Sequence, residues 1–226
     1  MNTATRQLWE SGAGRERDFW RQYLASEGLD WPDEFHWRFD PSTTLQPHVA
    51  AMLPQDLPVP RLTILDCAAG PATTLGKTLR GERLPIVAVD ALAGDYQQML
   101  AELRLSPPVP SIRCEVEQLD TLFPPSQFEL VYMRFALDHC YDPIAGLRQM
   151  IRVARPGCAV LIEHYRGDQD DEYQGLKHWT LVPEGDDLLI RNRALELSVQ
   201  QKLPDADVEV RASPTWLTLV LRKPET

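Results

Sequence analysis

The chain has 226 residues and a formal net charge of −10, with 43% apolar and 25% charged residues. That length suits one well-buried domain and leaves little room for two, and the balance excludes global disorder. An acidic chain repels polyphosphate, so nucleic acid is not expected as a partner; no apolar run approaches the ~20 residues needed to cross a bilayer.

Cys67, Cys114, Cys140 and Cys158 form no C-x-x-C pair and have no metal spacing with histidine. They read as reduced core residues, with no metal expected. The N-terminal stretch MNTATRQLWESG lacks an apolar segment, so no signal peptide is read there and a cytoplasmic location is expected.

Along the chain, Arg15 to Ala25 places Phe19, Trp20 and Tyr23 at helical spacing. A break at Gly28 to Pro32 precedes the aromatic stretch EFHWRFDP, and Leu45 to Leu53 reads as a short helix. Residues 1–60 are therefore expected to form a helical cap, closed by Pro54, Pro58 and Pro60, with one domain over 61–226. Strands are expected at 62–66, 85–90, 111–116, 128–133 and 158–164. Helices are expected at 73–80, 94–103 and 143–154. Repeated strand–helix units predict an α/β fold, a mostly parallel sheet with helices on both faces. After an acidic loop, HWTLV and DLLIR read as a hairpin, Arg193 to Lys202 as a helix, and VEVRA with WLTLVLRK as two closing strands.

The chemistry-bearing residues fall at strand ends. ILDCAAGPATTLG, Ile64 to Gly76, follows the first strand; IVAVDAL ends the second on Asp90, 24 residues after Asp66. RCEVEQLD follows the third strand and MRFALDHCYDP the fourth. Only one glycine sits in the first turn, so this is not the G-x-G-x-x-G of nicotinamide-binding proteins.

In that order these segments resemble the motifs of class I S-adenosylmethionine (SAM)-dependent methyltransferases, over roughly residues 62 to 164. Asp66, Gly70 and Pro71 match the first motif, while Ala68 and Ala72 stand where glycines are usual. The turn is expected to tolerate Ala68 provided its φ stays negative, and to open a helix whose N–H groups face polar atoms. The resemblance implies a Rossmann-like seven-stranded sheet and SAM as cofactor.

It also implies roles for individual residues. Asp90, with Ala91 beside it, would hold the ribose hydroxyls. Glu115 would meet the adenine amine, Val116 would supply backbone contacts, and Glu117 is an alternative acid. Arg134 and Trp20 would lie near the cofactor, and Arg38 could pair with its methionine carboxylate or be a surface residue.

The segments W-x-S-G, FW-x-x-Y-L, ALDH-x-YDP and GL-x-x-W are similar to a narrower methyltransferase-like group found beside polysaccharide and natural-product genes. Members often carry Asn before ALDH and His-Gln-Trp-Asn after GL. Here Phe135 and Lys177-His178-Trp179-Thr180 stand instead, beside the expected substrate pocket.

Asp138 and His139 could remove a proton from a nucleophile, or serve only as turn caps. Phe135 and Tyr173 are further catalytic candidates, since aromatic faces attract a sulfonium. Two reactions fit these residues. One is methyl transfer to a small-molecule substrate. The other is cyclisation of SAM itself, of the azetidine-2-carboxylate synthase type. Oligomeric state is not readable from the sequence.

Overall fold

The computed structural model describes residues 3–166 and 176–224. Three helices lead: α1 (Thr3–Ala25), α2 (Pro32–Phe39) and α3 (Pro47–Ala50). The central sheet is built from β1 (Ile64–Cys67), β4 (Ile86–Asp90), β5 (Ser111–Arg113), β6 (Phe128–Arg134), β7 (Ala154–Tyr165), β11 (Asp207–Ala212) and β12 (Trp216–Arg222). Its order is β11-β12-β7-β6-β1-β4-β5. Strand β12 runs antiparallel to both neighbours, and the remaining pairs are parallel. This is the seven-stranded, mostly parallel, Rossmann-like sheet expected.

Strands β1 and β6 are buried along nearly their whole length because both of their faces are covered, and their apolar residues are interrupted only by Asp66 in β1 and by Glu129 and the terminal Arg134 in β6. Helix α5 (Pro143–Val153) follows β6 and buries Ile144, Leu147, Met150 and Val153 on one stripe. Pro143 opens it, and the Asp142 side chain accepts from the Ala145 N–H at 3.0 Å, so its first turn is capped. Helix α4 (Ala93–Leu103) follows β4 and ends on Arg104 in the left-handed region. Its Tyr96, Met99 and Leu100 share a core with Ala13, Tyr23 and Leu24 of α1 and Phe35 of α2. The N-terminal helices are thus packed into the body of the fold.

Between β1 and β4 the structure departs from expectation. Residues 73–80 form no helix. Thr73 to Lys77 is an irregular buried stretch, followed by the small hairpin β2 (Thr78–Leu79) and β3 (Glu82–Arg83). Two β-branched threonines and a glycine within four residues disfavour a helix nucleus, and the chain pairs with the N-terminal segment instead. The Lys77 N–H donates to the Thr43 carbonyl and the Leu45 N–H to the Thr78 carbonyl. The face a helix would have covered is filled by Leu45, Val49, Leu53 and Leu75. Gly76 makes this possible: a Cβ there would sit 2.2 Å from the Thr44 backbone.

The region after β7 also differs. The hairpin β8 (Thr180–Glu184) and β9 (Asp187–Arg191) forms as expected. It joins β10 (Glu196–Ser198) in a separate three-stranded sheet rather than extending the main one. Only Val199–Lys202 (α6) of the expected 193–202 helix is helical. Pairing of Glu196–Ser198 with β9 takes the first half, and the Ser198 hydroxyl caps the remainder.

Candidate active site

The carboxyl ends of β1, β4 and β6, the loop after β5, and helices α1 and α2 enclose a cavity of about 850 Å3. That lies within the roughly 300–1,000 Å3 of small-molecule sites. Its lining includes Trp20, Arg38, Asp66, Ala68, Gly70, Asp90, Ala91, Glu115, Val116, Glu117, Arg134, Phe135 and His139. Nearly every residue singled out in the sequence therefore converges on one place. Asp138 lies just behind the wall, and Tyr173 falls outside the described residues.

The turn after β1 is built around two positive-φ residues, Ala68 at +54° and Gly70 at +68°. The condition of a negative φ is therefore not met at Ala68. Alanine adopts the left-handed conformation that a glycine would adopt freely, and the surrounding bonds hold it there. Gly70 has a second constraint, since a Cβ there would lie 2.6 Å from the Trp20 ring. Asp90 ties the two strand ends together: its Oδ2 accepts from the Gly70 N–H at 2.9 Å and its Oδ1 from the Leu92 N–H at 2.8 Å.

Arg38 is buried, not a surface residue. Its guanidinium donates to the carbonyls of Ala69 and Ala72 and to Glu34 Oε1, at 2.9 and 3.1 Å for the latter. It clamps the turn from α2, doing from the N-terminal segment what the missing helix would otherwise do. Asp66 accepts the Thr73 hydroxyl at 2.5 Å.

Burial pushes three acids up: Asp66 to about 7, Asp90 to about 6, and Glu117 to about 7. Glu117 accepts the Asp142 N–H at 3.2 Å. Glu115 differs from it. Its Oε2 accepts from Arg6, Gln118 and the Tyr141 hydroxyl, while its Oε1 accepts from Arg6 alone. Oε1 is therefore the oxygen with room for another donor.

Beyond β6, the expected acid–imidazole pair is rearranged. His139 Nε2 lies 3.8 Å from Asp138 Oδ1, outside hydrogen-bond distance, because adjacent residues of the short turn 137–139 diverge. The imidazole on Asp138 is His164, from the end of β7, at 2.9 Å. Burial opposes its charge, but the hydrogen bond and charge of Asp138 outweigh burial and raise the His164 pKa. His164 Nδ1 also meets the Tyr165 carbonyl at 2.8 Å, so both ring nitrogens face acceptors. Asp138 is held below the usual carboxylate range; burial works against this and the His139 and His164 charges prevail. His139 is the imidazole left facing the cavity.

Phe135 also stands at φ +58°, edge-on to His164 and Trp216. Arg6, Glu34, His164 and Trp216 were not foreseen. Only His164 carried a signal, since it ends a strand at the same edge as Asp138.

The fold is that of class I SAM-dependent methyltransferases. Residues 65–162 match the family described as "Methyltransferase domain". The chain is a SAM-dependent transferase, and SAM is its cofactor. Similar solved structures include a SAM-dependent methyltransferase from Aquifex aeolicus, 17% identical, covering 89% of this chain and 97% of that one, TM-score 0.52. The [4+2]-cyclase SpnF is 15% identical over 79% of each chain, TM-score 0.51. An O-methyltransferase family protein from Burkholderia thailandensis is 14% identical, covering 94% of this chain and 60% of that one, TM-score 0.51. At these identities the likeness concerns the fold. No curated protein matches the chain in sequence.

Proposed function

We propose that the chain transfers a methyl group from SAM to a small-molecule acceptor in specialised metabolism. The supporting observation is one cavity that gathers Asp66, Gly70, Asp90 and Glu115 together with His139 and several exposed aromatic rings. SAM supplies an electrophilic methyl on a sulfonium. Ionised Asp90 accepts the ribose hydroxyls, Glu115 Oε1 the adenine amine, and the backbone at Ala68 and Gly70 approaches closely because neither carries a bulky side chain. Trp20 and Phe135 present ring faces to the cation.

The acceptor's lone pair forms a bond to the methyl carbon as the sulfur–carbon bond breaks. Sulfur keeps that electron pair as S-adenosylhomocysteine. The acceptor's proton passes to His139, whose charge Asp138 stabilises, with His164 positioning Asp138. Helices α1 and α2, within the 1–60 segment, act as a lid that excludes water. The net charge favours a small acceptor over nucleic acid. No described helix is long and apolar enough to cross a membrane, which is compatible with a cytoplasmic site of action.

A second reading is favoured by the aromatic rim and by the ring-closing chemistry named for SpnF. In it the SAM amine attacks its own γ-carbon, the sulfur–carbon bond breaks, methylthioadenosine leaves, and azetidine-2-carboxylate forms. Incubation with SAM alone, then with a panel of phenols, amines and aromatic acids, separates the two by mass spectrometry. Acceptor-dependent S-adenosylhomocysteine supports methyl transfer. Methylthioadenosine from SAM alone, above a heat-killed control, overturns it in favour of ring closure.

A further inference from the structure

Arg134 ends β6 at the cavity wall, and its surroundings differ from those of every other cavity cation. Arg38 spends its guanidinium on two carbonyls and Glu34. Arg134 Nε is shielded from solvent without a hydrogen-bond partner among the described residues, and the carboxylate nearest its Nη1, Glu34 Oε2, stands off at 3.9 Å. Glu34 is already engaged through its other oxygen by Arg38. Glu163, the strand neighbour in register with Arg134, directs its oxygens to the Tyr132 hydroxyl at 2.6 Å and His48 at 3.0 Å. Neither acid answers the Arg134 charge with a close ion pair.

The guanidinium is fixed by rings instead. It lies 4.6 Å from the centroid of Phe135 and 5.6 Å from that of Trp216. Such stacking holds the fork in one orientation and leaves its N–H edge for hydrogen bonding. Four aromatic side chains lining the same cavity are exposed, Phe19 at 39%, Trp31 at 54%, Tyr165 at 56% and Phe135 at 38%, and of these Phe135 directly contacts the Arg134 guanidinium. Exposed rings beside an under-used arginine make a surface for a flat apolar body with an anionic end.

We propose that Arg134, Phe135 and Tyr165 form the acceptor subsite, and that its ligand is a planar aromatic carboxylate. This rests on the cofactor occupying the Asp66–Asp90 end of the cavity. The same carboxylate chemistry could come from the methionine end of the cofactor, and the test separates the two sources.

Benzoate binding is measured by calorimetry on the full chain, free and saturated with S-adenosylhomocysteine, with benzamide and cyclohexanecarboxylate as comparison probes. Benzoate is expected to bind the S-adenosylhomocysteine complex at least tenfold more tightly than either comparison probe. Arg134→Gln should weaken benzoate at least tenfold while S-adenosylhomocysteine affinity stays within twofold. Arg134→Lys, which keeps the charge and loses the fork, should fall between. Displacement of benzoate by S-adenosylhomocysteine, or a matching loss of S-adenosylhomocysteine affinity in Arg134→Gln, would assign Arg134 to the cofactor and overturn the proposal. So would equal binding of benzamide or cyclohexanecarboxylate. Wild-type protein that binds benzoate but not S-adenosylhomocysteine would instead remove the cofactor placement and leave the carboxylate site standing.

Discussion

Arg6 closes its two terminal nitrogens on the two oxygens of Glu115, at 2.8 and 2.6 Å, across 109 positions of sequence. The guanidinium also lies 5.0 Å from the centroid of the Tyr141 ring, whose hydroxyl reaches the same carboxylate at 3.0 Å. The start of α1 is thereby latched to the loop after β5, at the acid assigned to adenine. A partly buried bidentate pair of this kind contributes about 1 kcal/mol. Arg6→Ala is expected to weaken S-adenosylhomocysteine binding about three- to tenfold and to speed amide exchange over residues 5–12. Unchanged exchange there would mean the latch does not hold the helix.

Asp90 holds two backbone N–H groups now and the ribose in the proposed complex. Asp90→Asn is the informative substitution, because alanine would also orphan both buried donors. A hydrogen bond to a charged group contributes about 1.5–3 kcal/mol. Calorimetry should show S-adenosylhomocysteine binding weakened more than tenfold, and an unchanged affinity would remove the ribose assignment.

The buried acids make stability and binding respond to pH in opposite directions. Asp66, Asp90 and Glu117 have folded-state pKa values raised to about 7, 6 and 7 by burial. The folded protein then holds more protons than the unfolded chain between about pH 4 and 7, so their contribution is full on the acid side and is lost as pH rises through that window. Thermal melts of the cofactor-free protein should rise from pH 7 toward pH 5. Ribose recognition needs Asp90 ionised, and neighbouring Glu16 opposes that while His139 favours it. S-adenosylhomocysteine affinity should therefore increase from pH 5 to pH 8. A flat profile would show that Asp90 does not titrate in this range.

The turn after β1 carries two opposite backbone predictions. Ala68 sits at φ +54°, a conformation costing an L-residue about 1–2 kcal/mol, so Ala68→Gly should raise the melting temperature by a few degrees. Gly76 lies against the Thr44 backbone, so Gly76→Ala should lower stability by about 1–3 kcal/mol. Denaturant unfolding of both variants checks the pair, and a tolerated Gly76→Ala would mean that the 43–45 segment is not locked there.

His139 is the proposed base and lies 3.8 Å from Asp138. His139→Gln should lower kcat by about 10²–10⁴-fold with S-adenosylhomocysteine affinity little changed. A drop confined to KM would make His139 a binding residue. His164→Gln should lower activity less and shift the acid limb of the pH–rate profile, because His164 acts on Asp138 rather than on the acceptor.

Local sequence determined the sheet and most of the cavity wall. Runs such as Ile64–Cys67 and Phe128–Met133 are apolar but for one acid each, Asp66 and Glu129, because parallel central strands are covered on both faces, and that pattern is written residue by residue. Asp66, Asp90 and Glu115 could be placed because strand ends fix where they emerge. Tertiary structure decided the rest. The stretch after β1 has helix-length sequence but pairs with residues 43–45, a choice made by Gly76 meeting Thr44 across more than thirty residues. The partners of Glu115, Asp138 and Arg134 come from α1, β7 and β12, respectively. Such pairings depend on three-dimensional closure of the chain, which no local periodicity encodes.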